Sequence, residues 1–193
     1  MKFHPKRAVA VAAAVIVGFG AMVAGGTAQA ASASNYASSS ANAWHKTSFD
    51  ASFQIRQLFS HSISAYNQAN AVSSNCNGCR SVAIAFQIVA DGRVASTVNA
   101  GNDSSALNKN CVNCQTLGVA YQFVLAKPVV LSWSDMSALY RIDYQIQALR
   151  WSHAPVDSIA AQTESLAGSV STILAHAGHG YWPMVHRYIT WHH

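Results

Sequence analysis

The sharpest chemistry in this chain lies in four cysteines, arranged as Cys76-Asn77-Gly78-Cys79 and Cys111-Val112-Asn113-Cys114 with 31 residues between the pairs. Cys-x-x-Cys supports three chemistries: a short disulfide, half of a four-thiolate zinc site, or a redox-active pair. Redox activity calls for a helix N-terminus, whose dipole lowers a thiol pKa. Both pairs here lead instead into alternating, strand-like sequence. A zinc ion on Cys76, Cys79, Cys111 and Cys114 is the alternative to disulfides, although the gap exceeds the usual zinc-ribbon spacing. An exported chain with an even cysteine count points to disulfides. Local bridges, Cys76 with Cys79 and Cys111 with Cys114, follow if each unit carries its own pair. They contribute only about 2 kcal/mol each, against about 4 for a bridge between units. A crossing bridge, however, needs Cα atoms within about 7 Å.

Histidines are the second set of candidate ligands. His176, His179, His186, His192 and His193 gather near the C-terminus beside Tyr181, Trp182, Tyr188 and Trp191. Imidazole is a common metal ligand, so His176, His179 and His186 form an alternative metal set, with zinc as the cofactor and a metallohydrolase as the activity. The plainer reading places His176 at a helix C-terminus and the rest in an aromatic tail docked on apolar surface. Hydrolase motifs are absent from the sequence. There is no Gly-x-Ser-x-Gly, and the one glutamate, Glu164, lies in Thr163-Glu164-Ser165 without flanking histidines, which excludes His-Glu-x-x-His. No catalytic residue is assigned.

The cysteines sit inside a repeat. Asn67–Val89 aligns without gaps on Asn102–Val124 at a spacing of 35, with eight identities in 23 positions. Among them are Asn67/Asn102, Cys76/Cys111, Cys79/Cys114, Ala85/Ala120 and Gln87/Gln122. A fainter third copy, Phe53-Gln54-Ile55, echoes Phe86-Gln87-Ile88 and Tyr121-Gln122-Phe123 but has no cysteines. Identity at fixed phase, including paired cysteines, marks a duplicated structural unit.

Each unit reads as strand, because Val82, Ile84, Phe86 and Ile88 alternate with small or polar residues, as do Leu117, Val119, Tyr121 and Phe123. Asp91-Gly92 is a turn signal that predicts a hairpin over 82–98. The Asn/Ser-rich pieces 67–75 and 99–110 read as loops or single helical turns.

Beyond Pro128 the period shifts to about 3.6. Ser132-Trp133-Ser134-Asp135 predicts a helix start, with Met136, Leu139, Ile142, Ile146 and Leu149 on one face. Asp157 is expected to cap a second helix carrying Ile159, Thr163, Leu166, Val170, Ile173 and Ala177, stopped by Gly178 and Gly180. The fold expected is α+β: a small antiparallel sheet from the duplicated unit, followed by a two-helix hairpin on one face in two layers.

The N-terminal 30 residues read as a signal peptide. Lys2, Lys6 and Arg7 precede an apolar run from Ala8 to Val23, and Ala28-Gln29-Ala30 supplies the cleavage pattern. The run is shorter than the roughly 20 residues of a spanning helix. The expected organisation is a signal at 1–30, a flexible Ser/Ala/Asn-rich segment at 31–47, the duplicated unit at 48–127, the helical hairpin at 132–178 and the tail at 179–193. Three of the twelve Lys and Arg residues fall in the signal, leaving nine against seven acids, a balance of +2. With no basic cluster, a nucleic-acid partner is not indicated. So weakly charged a surface suits docking on an extracellular or cell-surface partner, or self-association.

The segments Asn75-Cys76-Asn77-Gly78-Cys79-Arg80-Ser81-Val82-Ala83-Ile84-Ala85-Phe86-Gln87 and Asn110-Cys111-Val112-Asn113-Cys114-Gln115-Thr116-Leu117-Gly118-Val119-Ala120-Tyr121-Gln122 resemble a group of exported actinobacterial proteins. Those proteins carry tandem Asn-Cys-x-x-Cys strands followed by two helices and often bear the name peptide zinc metalloprotease. The resemblance covers residues 49–177 and implies export. The protease name implies a reaction for which this chain has no residues, so the expectation is a non-catalytic binding or surface-associated protein stabilised by two short disulfides.

Overall fold

The computed structural model describes residues 30–192. The expected signal peptide therefore lies, but for Ala30, outside the described residues. Seven strands and two helices follow: β1 (Ala31–Asn42), β2 (Thr47–Leu58), β3 (Ser62–Asn77), β4 (Arg80–Asp91), β5 (Thr97–Val112), β6 (Gln115–Leu125), α1 (Trp133–Ala148), α2 (Val156–Ala177) and β7 (Met184–His192). No helix among the described residues is long and apolar enough to cross a membrane.

The fold is α+β, but the sheet is not a small antiparallel one. Strands β1, β3 and β5 form one parallel sheet; β2, β4 and β6 form a second, to which β7 adds antiparallel. The chain thus winds as a two-sided coil, laying one strand in each sheet per turn. Positions 35 apart are register partners, as in Asn67↔Asn102 and Phe86↔Tyr121. The cysteine-free stretch at Phe53 supplies the first coil, with Phe53 opposite Phe86.

Four sequence expectations change with this architecture. The segments 67–75 and 99–110 belong to β3 and β5, and residues 31–42 form β1 rather than a flexible lead. Their inward positions keep strict period two and, Ile63 apart, are small or amide side chains: Ala33, Asn35, Ala37, Ser39 and Ala41 in β1, and Ile63, Ala65, Asn67, Ala69, Ala71 and Ser73 in β3. The predicted hairpin over 82–98 is absent, because β4 and β5 lie in different sheets. At that corner Asp91 is buried, and its Oδ1 accepts from the backbone N–H groups of Ser60 and Arg93 at 3.2 and 3.1 Å. The Asp91-Gly92 signal therefore marks a clamp between successive corners. The tail, in turn, is strand β7 from Met184 onward.

There are three layers. The inner face of the β2/β4/β6 sheet presents Ala83, Ala85 and Ala120 to Ala37, Ala69 and Ala71 of the first sheet. Its other face sends Val82, Ile84, Phe86, Ile88, Leu117, Val119, Tyr121 and Phe123 against the helices. Helix α1 starts at Ser132, whose side chain caps the Asp135 N–H while Asp135 returns the bond, a capping box worth about 1 kcal/mol. Leu139, Ile142 and Ile146 form its buried stripe. Helix α2 is capped at Pro155, so Asp157 lies in the first turn rather than at the cap.

Two amide ladders run between the sheets. Asn35 Nδ2 donates to Asn67 Oδ1 at 2.9 Å, Asn67 Nδ2 to Asn102 Oδ1 at 2.8 Å, and Asn102 Nδ2 to the His186 carbonyl of β7 at 2.9 Å. The glutamine ladder runs oppositely: Gln122 donates to Gln87 at 2.8 Å, Gln87 to Gln54 at 2.9 Å, and Gln54 to the Ser34 carbonyl at 2.8 Å. Buried amides are tolerated because neighbouring coils supply their partners, although Gln122 Oε1 at the end of its ladder has none.

Both ends of the coil are finished. Strand β7 pairs along β6, from Thr116↔His192 to Val124↔Met184. At the other end, side chains of β2 occupy backbone groups of β1: Asp50 Oδ2 accepts from Ser38 N–H at 2.6 Å and Ser48 Oγ from Ser40 N–H at 3.2 Å. Gln147 of α1 reaches the Ala51 carbonyl of β2 at 3.1 Å. The register partners of Asp50 in the inner coils are Ala83 and Gly118. At this register position the charge falls in the edge coil alone, and an inward charge on an edge strand is a device that discourages further strand addition.

Candidate functional site

Each coil turns from one sheet to the other at a corner. In the first coil, Asn42 closes it: its Oδ1 accepts from the N–H groups of Trp44 and His45, both at 2.9 Å. In the second and third coils the Cys-x-x-Cys pairs take that place, spanning the end of β3 and start of β4, and the end of β5 and start of β6. Neither pair opens a helix, so neither has the dipole that would activate a redox thiol.

The two corners are built alike. Asn75 and Asn110 have φ of 50° and 51°, and Gly78 and Asn113 have 69° and 54°. The left-handed region is open to glycine and tolerated by asparagine, so the residue types at these four positions fit the turn. The corners also bond to each other, with Asn110 Nδ2 donating to Asn75 Oδ1 at 3.0 Å and Gly78 N–H to the Val112 carbonyl at 2.9 Å.

The stacking brings all four cysteines into one place. Cys76 and Cys111 are register partners in β3 and β5. Cys76 and Cys79 meet as a disulfide pair, while Cys111 and Cys114 are free thiols. Cys111 Sγ stands 3.1 Å and Cys114 Sγ 3.6 Å from Cys76 Sγ. The local Cys111–Cys114 bridge expected from the sequence is not made, because both sulfurs turn toward the neighbouring coil. Burial, with the Cys114 thiol beside it, pushes the Cys111 thiol up from its ordinary value. Ala41 of the first coil, Cys79 and Cys114 are buried together, so the site has an apolar floor.

Arg80 follows the second corner and ties it to the loop between the helices. Its guanidinium donates to the carbonyls of Ser152 at 2.9 Å and Ala154 at 2.5 Å. Burial draws its pKa below the usual arginine value.

The terminal histidines do not gather in the same way. His176 lies in the last turn of α2, His179 follows it with φ of 51°, and His186 stands opposite Gln122 in β7. Among the described residues, the close group of three potential metal ligands is Cys76, Cys111 and Cys114, their ligand atoms within 4.8 Å of one another. The expected Cys/His alternatives thus separate: the structure unites the sulfurs and not the imidazoles. The sequence reading offered that convergence only as the alternative to two local bridges. The signal for it was the equality of the repeat length and the cysteine offset, both 35.

The class that fold and site define is a short, two-sheet parallel coil with a cysteine-lined corner and a helical cover. No family model, curated protein or solved structure matches the chain.

Proposed function

We propose that this is an exported, non-catalytic domain that attaches to an extracellular or cell-surface partner through exposed aromatic side chains, on a coil held at its corner by cysteine sulfur. One observation carries the reading. All five tryptophans face outward, Trp44 at 91% exposure, Trp133 at 84%, Trp151 at 77%, Trp182 at 69% and Trp191 at 50%. Tryptophan combines a large apolar area with one polar N–H and is usually mostly covered. Leaving every copy in water has a cost that a partner removes.

The signal-like N-terminus and the resemblance to exported actinobacterial proteins support the location. The low charge of the rest of the chain supports docking. A shallow cleft lined by Tyr144, Gln147, Ala148, Arg150 and Trp151 offers aromatic, amide and cationic groups together, the mixture enriched at binding hot spots.

The test is cosedimentation of labelled secreted protein with envelopes of the producing cell. Trp151→Ala combined with Tyr144→Ala is expected to lower binding about tenfold, a hot-spot loss near 1.4 kcal/mol. Because both residues are exposed, melting should hold within about 0.5 kcal/mol of wild-type stability. Equal binding by the double variant, or wild-type protein that stays wholly in the medium, would overturn the proposal.

A further inference from the structure

We propose that the chain, once its Cys76–Cys79 bond is reduced, holds one zinc-class ion on Cys76, Cys79, Cys111 and Cys114, and that this ion is structural. The inference goes beyond the surface-binding reading and does not depend on it.

Geometry is the first support. Zinc bound to four thiolates at about 2.3 Å gives a tetrahedron with edges of roughly 3.8 Å. The sulfur separations of 3.1 Å for Cys76–Cys111 and 3.6 Å for Cys76–Cys114 already approach those edges. Cys76, Cys111 and Cys114 all fall within 4.8 Å of one another, and Cys79 adjoins Cys76. Three sulfurs already cluster, and once the Cys76–Cys79 bond is reduced Cys79 can join them around one ion.

The scaffold is the second support. Two corners with matching left-handed residues, bonded to each other through Asn75 and Asn110, present their cysteines as equivalent halves, as a four-thiolate site requires. The ligand set is all sulfur and comes wholly from the protein. It therefore leaves no open coordination position, which distinguishes structural from catalytic zinc. Four thiolates suit a borderline-soft ion such as zinc, whereas calcium and magnesium prefer carboxylate and other oxygen ligands.

The chemistry balances with a phosphine as the reductant. The phosphine passes two electrons into the Cys76–Cys79 bond, two protons complete the thiols, and the phosphine leaves as its oxide with oxygen from water. The ion then displaces protons from the four thiols, so uptake releases acid and weakens as pH falls. Once bound, the ion fastens the second coil to the third, at the level where the first coil uses Asn42 alone.

The experiment uses the full chain, made in a reducing cytosol, treated with phosphine without oxygen and titrated with zinc against a chromophoric chelator. One equivalent should bind, and Co2+ in its place should show thiolate-to-cobalt charge transfer. Cys111→Ser and Cys76→Ser should each weaken binding at least tenfold, while a His176→Ala, His179→Ala, His186→Ala triple variant binds as wild type. The wild-type cobalt spectrum keeps the test decisive even if a serine variant does not fold. Failure to take up one equivalent, lack of a thiolate–cobalt band, or loss of the ion in the histidine variant would each overturn the proposal. None of these results bears on envelope binding by the secreted form.

Discussion

The two faces of the β2/β4/β6 sheet solve the same problem by opposite means. Toward the helices it packs Phe86 on Phe53 and Tyr121, with ring centroids 5.9 and 5.1 Å apart, and stacks isoleucine, valine and leucine around them. Toward the other sheet it offers alanine and glycine, and stability there rests on close approach and amide ladders. The contrast shows that a strand's two faces carry separate instructions: large side chains create a thick apolar layer, whereas small ones let two backbones come near enough for side-chain amides to reach opposing carbonyls. Asn67 does this directly, donating to the carbonyls of Ala85 and Tyr121, both at 3.1 Å.

Several changes would break that contrast. The largest effect is expected on the helix-facing side, where Phe86→Ala removes a fully buried ring and should cost about 3–5 kcal/mol, read by urea unfolding. On the other side the opposite change is the damaging one. A Cβ at Gly118 would lie 2.5 Å from the Ser105 carbonyl oxygen, so Gly118→Ala should cost about 1–3 kcal/mol through overpacking. A Gly118→Ala protein as stable as wild type would show that the sheets are not in close contact.

Asn67→Ala tests the ladder. It leaves Asn35 and Asn102 without their shared partner and should cost about 1–3 kcal/mol. The loss should exceed that of an Ala substitution at half-buried Asn70, which faces away from the other sheet, and parity between the two would dismiss the ladder as a source of stability.

A fourth test is alkaline titration. Burial, reinforced by Glu164 and opposed by Arg187, pushes the Tyr121 phenol up to about 12. The folded phenol then keeps its proton while the unfolded one loses it near 10, so this contribution to stability is present below about pH 10 and is lost as pH rises toward 12. Phenolate absorbance should show a late step, and Tyr121→Phe should abolish it.

The smallest effect on stability is expected at the edge. Asp50→Ala frees the Ser38 N–H and gives the first coil the alanine that Ala83 has in the second. Sedimentation velocity should then show more association than in wild type, with unchanged circular dichroism. A variant that associates no more than wild type would mean that Asp50 does not guard the edge.

Much of this contrast was legible in the residues. The period of 3.6 beyond Pro128 and the Ser132 to Asp135 capping pattern located α1, and the large alternating residues of β4 and β6 declared themselves as strand. The small-residue strands did not. Asn67, Ala69, Ala71 and Ser73 read as loop because Asn and Ser favour turns when considered one at a time. In place, Asn67 is paired on both sides and the alanines meet other alanines. Propensity reports what a residue prefers alone, and here the neighbouring coil decides.

By itself the sequence determined the local features: which segments are helical, which strands carry bulky faces, that the cysteines come in matched pairs, and that a unit recurs every 35 residues. It did not determine that the unit winds parallel rather than folding back as a hairpin, nor that the two cysteine pairs would share one corner. Those were decided by tertiary structure. The pairing of a strand is set by contacts with residues a full coil away, and only when the coils stack does a sequence offset of 35 become a sulfur separation of 3.1 Å.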